Sequence, residues 1–201
     1  MRLPWLPAAA LLCTLPARGD TPQLAPHALD ALTQLDELPS QTALADALGL
    51  PPDQAVVTVA QLARNADGTV DLGVQLRAIH ALPAFCPPAP ATCGLPHDTL
   101  IDIINAASTP AQTREDVLRL RTAIEAIGAT RSGLDSDVAE LLPLLSNTSR
   151  DVRATVARAL PNLCNAGATG PLMAAYHREA VPQVQLEILS ALDVLDGQCA
   201  K

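Results

Sequence analysis

The run Asn65-Ala-Asp67-Gly68-Thr69-Val70-Asp71 has the oxygen density of a calcium loop. With Gly68 set at the glycine position of an EF-hand, the first and last ligand positions fall on Ala63 and Val74, so both charged anchors are missing. An Asp-Gly turn between helices accounts for the residues instead. His27, His80, His97 and His177 are scattered, and no two lie at i, i+4 to grip a metal from one helix. Each reads as an exposed or packing histidine, with His80 on the polar side of its helix. Ser132 and Ser146 sit in connectors without the strand-turn-helix setting of a hydrolase serine. Asp135, Asp137 and Glu140 gather at a helix start, where carboxylates cap amides and favour the helix dipole; general acid–base work is the alternative weighed against that. No glycine-rich phosphate loop is present. The expectation is no catalysis, no metal and no cofactor.

Arginine supplies the most suggestive polar set. Arg114, Arg121, Arg150 and Arg153 fall near the starts of two helical stretches, and Arg158 follows a turn later. Their chemistry is the gripping of carboxylates. The ordinary alternative pairs Arg153 with an Asp such as Asp151 and leaves the others solvated, where exposed charges contribute little.

The elements that position these residues announce themselves by repetition. Val74, Ala78, Ala81, Leu82 and Phe85 recur as Val152, Val156, Ala159, Leu160 and Leu163, and again as Val184, Ile188, Ala191, Leu192 and Leu195. The spacing i, i+4, i+7, i+8, i+11 is one stripe along an α-helix. A helical unit recurring every few tens of residues predicts an all-α fold, an α-solenoid of four to five antiparallel helix pairs. Between the first two copies the stripe is degraded. A shift of the Val152 helix places Ala123, Ala126 and Ile127 on apolar positions but Arg119 and Thr130 on two others, which predicts a stripe rotated towards Val117, Leu120 and Ile124, or a gap. Helices are expected at 22–38, from Ser40 as N-cap to Gly49, and at 53–64, 70–85, 97–107, 113–128, 135–145, 149–163, 169–179 and 182–195.

Composition agrees. The chain has 201 residues, 49% of them hydrophobic and 1% aromatic, with Trp5, Phe85 and Tyr176 the whole aromatic set. A chain leaning on Ala and Leu favours helices over strands, and small Ala contacts let helices approach closely. Residues 1–19 are different: Met1-Arg2, an uncharged apolar run from Leu3 to Leu15, then Ala17-Arg18-Gly19 predict a signal peptide cut before Asp20. The run is too short for a membrane span, and none follows. Lipid anchoring at Cys13 is the lesser alternative, because Leu12 stands where a small residue is wanted. A periplasmic or extracellular location is expected, and bacterial origin is inferred from the signal and from 12 Arg against a single Lys.

Export also explains the cysteines. Beyond Cys13 there remain Cys86, Cys93, Cys164 and Cys199, an even number with three possible pairings. Cys86–Cys93 would staple the loop Pro87-Pro88-Ala-Pro90, and Cys164–Cys199 would join points just beyond successive copies of the repeated helix. No Cys-x-x-Cys pair supports zinc. Net charge is −8, and losing Arg2 and Arg18 makes it −10, which argues against nucleic acid as partner. Charge is also uneven, since residues 20–71 hold eight acidic residues and one basic, Arg64.

Over Asp137-Val-Ala-Glu-Leu-Leu-Pro143 and Asp151-Val152-Arg153 through Ala159-Leu160 the chain resembles a HEAT repeat. The match is strong at 135–163, fair at 169–195 and 53–85, and weak at 97–128, while 20–50 resembles an N-terminal cap. The resemblance implies an exported protein-binding or scaffolding module. Second helices that line a concave face would place Arg114, Arg121, Arg150, Arg153 and Arg158 in a groove for an acidic protein partner, or for the acidic N-terminal part of another copy. Pro182-Gln-Val-Gln185 departs from the acidic-Val-Arg pattern, so a ladder between repeats should weaken there. HEAT-like lyases and base-excision glycosylases are the enzymatic alternative. The glycosylase needs a basic, aromatic groove that this chain lacks, and no anchoring pocket for a lyase can be named. Self-association through Leu24, Leu29, Leu32 and Leu35 is the structural alternative.

Overall fold

The computed structural model describes Leu24, Ala28, Leu32, residues 40–86 and 93–197, and Cys199. The expected signal peptide, Cys13, most of the helix expected at 22–38 with Leu29 and Leu35, and the 87–92 loop lie outside the described residues. Among the described residues the chain is helical with no strand: α1 (Gln41–Leu48), α2 (Pro52–Arg64), α3 (Leu72–Ala81), α4 (Leu95–Ala107), α5 (Arg114–Thr130), α6 (Asp135–Leu141), α7 (Arg150–Ala159), α8 (Thr169–Arg178) and α9 (Pro182–Gly197). None of these helices is long and apolar enough to cross a membrane.

Local chemistry sets the ends. Ser40 accepts the Ala43 amide to start α1, and Gly49 ends it in the left-handed region at φ 63°. Thr113 and Asp116 form a capping box at α5. Three helices expected to run on instead tighten into 3₁₀ turns, at Leu82–Phe85, Leu142–Ser146 and Leu160–Leu163. Each turn has a proline as its second residue, Pro83, Pro143 or Pro161, which lacks an amide proton and collides with the carbonyl four residues back.

Helices adjacent in sequence pack on each other, α2 on α3, α4 on α5 and α8 on α9, with α6 continuing through its 3₁₀ turn onto α7. The second helices then form a row, α3 on α5, α5 on α7 and α7 on α9. The repeated stripe is its core: Val152, Val156, Leu160 and Leu163 are fully buried, with Val74, Ala78 and Leu82 and with Val184, Ile188 and Leu195 in the same role. There is no gap at the degraded copy. Leu120 and Ile124 of the expected rotated stripe are buried in α5 between α3 and α7, together with Ala123, Ala126 and Ile127 of the unrotated one, while Val117 is only partly buried. Rotation frees Arg119 to reach back to α3, where its Nε donates to Gln75 Oε1 at 2.9 Å.

At Gly128 the α5 backbone comes so near α7 that a Cβ would lie 3.1 Å from the Cα, Cβ and carbonyl oxygen of Ala159. Helix approach through small residues is realised there. At the other end Leu32 is 1% exposed and Leu24 packs against the same core. Of the apolar N-terminal face, Leu32 is thus covered by the chain itself and Leu24 partly so.

Both expected disulfides are present. Cys86–Cys93 closes seven residues with Cα atoms 4.8 Å apart. Cys164–Cys199 joins the end of the α7 segment to the residues after α9, Cα to Cα 5.0 Å.

Candidate functional site

A single repeat position builds a polar ladder across the row. His80, Glu125 and Arg158 occupy equivalent places in α3, α5 and α7, one step from the buried stripe. His80 Nε2 lies 3.4 Å from Glu125 Oε2, and Arg158 lies 4.0 Å from Glu125 Oε1 and 3.1 Å from Glu187 Oε1 of α9. Beneath it, the buried Thr155 hydroxyl donates to the Asp151 carbonyl and accepts from Arg121 Nε at 3.3 Å and Arg158 at 3.2 Å. The His80 hydrogen bond, working against burial and aided by the charges of His80, Arg121 and Arg158, holds the Glu125 carboxyl below its ordinary range. Imidazole, carboxylate, guanidinium and carboxylate therefore follow one another from helix to helix.

The five arginines do not form one groove. Arg121 and Arg158 belong to the ladder. Arg114 and Arg150 are exposed at the first positions of α5 and α7, about 10 Å down the row at 1.5 Å per residue. Arg150 lies 3.5 Å from Asp151, the partner expected for Arg153. Arg153 instead reaches the connector of the next pair. Its Nε lies 2.6 Å from Glu179 Oε2, and a second nitrogen donates to Oε1 at 2.9 Å. A third donates to the Asn147 carbonyl, while Glu179 Oε1 accepts the amides of Ala180 and Val181. With side chains 16% and 6% exposed, this pair is a structural clamp and offers nothing to a partner. The expected weakening at the C-terminal unit is offset in part, since Gln185 donates to the Glu179 carbonyl at 2.7 Å. Gln75 and Arg153, at the equivalent positions, make the same back-bond to Ala63 and Asn147.

Asp137 departs from its expected capping role. It is fully buried, receives the Ser132 hydroxyl on Oδ2, and has His97 Nε2 of α4 at 2.8 Å from Oδ1. Asp135 accepts from Asn165 at 2.7 Å, and no side chain caps α6. The order is serine, aspartate, histidine. A hydrolytic triad needs the imidazole between nucleophile and carboxylate, so Ser132 has no base to activate it. His97 also faces Asp98 through Nδ1 at 3.4 Å. Burial works against a charge on His97, but the hydrogen bond and charge of Asp137, then those of Asp98, outweigh it and raise its pKa above 6.5. Stability from this contact is complete below pH 6.5 and is lost as pH rises through the higher folded value. Thermal melting between pH 5 and about 8 should fall on the alkaline side for wild type, and His97→Gln should flatten that slope.

The Asn65–Asp71 loop is a turn closed on itself. Asn65 bonds the Val70 amide and carbonyl, Asp67 takes the Thr69 amide, and Asp71 caps α3 through Gly73. Two clefts open along the connector edge of the row. One, of about 280 Å³, is lined by Arg64, Gln75, Asp116 and Arg119; the other, of about 310 Å³, by Asn147, Arg153, Arg178 and Glu179. Polar groups in both clefts bond one another, as Arg119 does Asp116 at 3.0 Å and Arg153 does Glu179 at 2.6 Å. Searches against family models, curated proteins and solved structures returned no match to this chain.

Proposed function

We propose that the chain is an exported protein-binding module, a HEAT-like α-solenoid of stacked helix pairs that performs no reaction. The observation that carries this reading is the ladder. His80, Glu125, Arg158 and Glu187 are 36–43% exposed in their side chains and run across four helices, the first three from one repeat position. Their pairing refines the kind of partner. A surface on which Glu125 and Glu187 flank Arg158 suits a protein whose own charges alternate along its length, rather than a uniformly acidic one. The disulfides fit an oxidising compartment, and with the apolar start at 1–19 they support periplasmic or extracellular placement.

The test is a pull-down from the host's envelope and culture fractions with residues 20–201, wild type beside Arg121→Glu/Arg158→Glu, read by mass spectrometry. One protein retained by wild type and lost from the variant is the expected result. An identical catch from both would move the site off the ladder, and an empty one would end the binding-module reading.

A further inference from the structure

The repeat register exposes a second surface. Two equivalent positions recur on the second helices: Leu76 and Ile79 on α3, Arg121 and Ile124 on α5, Ala154 and Ala157 on α7, Leu186 and Leu189 on α9. In α3 and α7 these residues are covered, with Ile79 and Ala157 fully buried and Leu76 and Ala154 packed against the core. In α9 nothing among the described residues covers them, and Leu186 is 65% and Leu189 43% exposed. Helical geometry puts Pro182, Asp193 and Asp196 on the same side, all exposed. The face is apolar in its first half and acidic in its second, and α9 carries no Lys or Arg.

We infer that this face docks a basic amphipathic helix of another protein. Such a helix would lay an apolar stripe on Leu186 and Leu189, and its Lys or Arg would meet Asp193 and Asp196. Charge disfavours the leading part of a second copy as the occupant. The leading part of a second copy, residues 20–71 with eight acidic residues against Arg64, would bring like charge to like. The surface shares α9 with Glu187 of the ladder but includes neither Arg121 nor Arg158, so substituting those two separates the proposals.

The probe is a fluorescent helical peptide of about 18 residues with leucine on one face and lysine on the other, beside a glutamate-for-lysine control. Wild type should bind the lysine peptide, and Leu186→Asp/Leu189→Asp should weaken it about tenfold or more. Asp193→Lys/Asp196→Lys should invert the preference towards the glutamate peptide, while Arg121→Glu/Arg158→Glu should bind the lysine peptide no less tightly. Leu186, Leu189, Asp193 and Asp196 are exposed, so the variants of this face fold. Equal affinity of wild type and the leucine variant would overturn the proposal. So would a dimer in sedimentation that Leu186→Asp dissolves, since the occupant would then be a second copy.

Discussion

Replacing Cys164 and Cys199 together by serine lowers the unfolding free energy by about 4 kcal/mol. The bridge closes a separation of 35 residues, and the entropy removed from the unfolded chain by a loop of that size has this magnitude. For a chain of this length the loss corresponds to about 10 °C in melting temperature. The same exchange at Cys86 and Cys93, separated by seven residues, costs about 2 kcal/mol because the loop is short. Chemical denaturation of both double variants checks the ratio as well as the size. Equal losses would mean that loop closure is not the source. The long bridge also holds α9 to the row, so its loss should raise amide exchange in α9 before exchange in α5.

Arg153→Ala is the most damaging single charge removal, costing about 3 kcal/mol. Breaking a nearly buried ion pair leaves the partner's charge unmatched, and Glu179 is 6% exposed. Arg153→Lys should recover only part of this, because an ammonium cannot reproduce two parallel bonds to one carboxylate. The Arg153 hydrogen bond, opposed by burial and joined by the Val181 amide, the Arg153 charge and the Ala180 amide, keeps the Glu179 pKa below 4.5. Its contribution is therefore present above pH 4.5 and lost as pH falls through the lower folded value. Urea midpoints at neutral and acid pH should show the wild type and Arg153→Ala converging on acidification. A constant gap would rule out this linkage.

What could be read in the sequence was what repeats. The stripe from Val152 to Leu163 and its copies gave the second helices, and the copies in turn placed Cys164 beside Cys199. The 3₁₀ endings were legible too, since Leu82-Pro83, Leu142-Pro143 and Leu160-Pro161 share one pattern, but periodicity alone extends a helix through such a proline. Pairings between units were not legible. Glu179 lies in a connector with no helical period, and nothing near Arg153 in sequence points to it over the adjacent Asp151. Asp137 looked like a cap because carboxylates at helix starts usually are; its burial depends on His97, 40 residues away. Glu125 could have been found, because shifting Arg158 back by one unit lands on it.

The contact at Gly128 has a mechanical meaning. Near the last turns of α5 and α7 the Gly128 backbone faces only the backbone and methyl of Ala159, with no longer side chain between them to give way. Bending between them turns about that fulcrum. Arg121 lies seven residues away, about 10 Å along the helix axis. A tilt of about 10° would move it by about 2 Å on that lever arm, enough to part Arg121 from Thr155. Any protein that seats itself on the ladder thus also sets the curvature of the row, and a bent row would reveal its load as broken rungs.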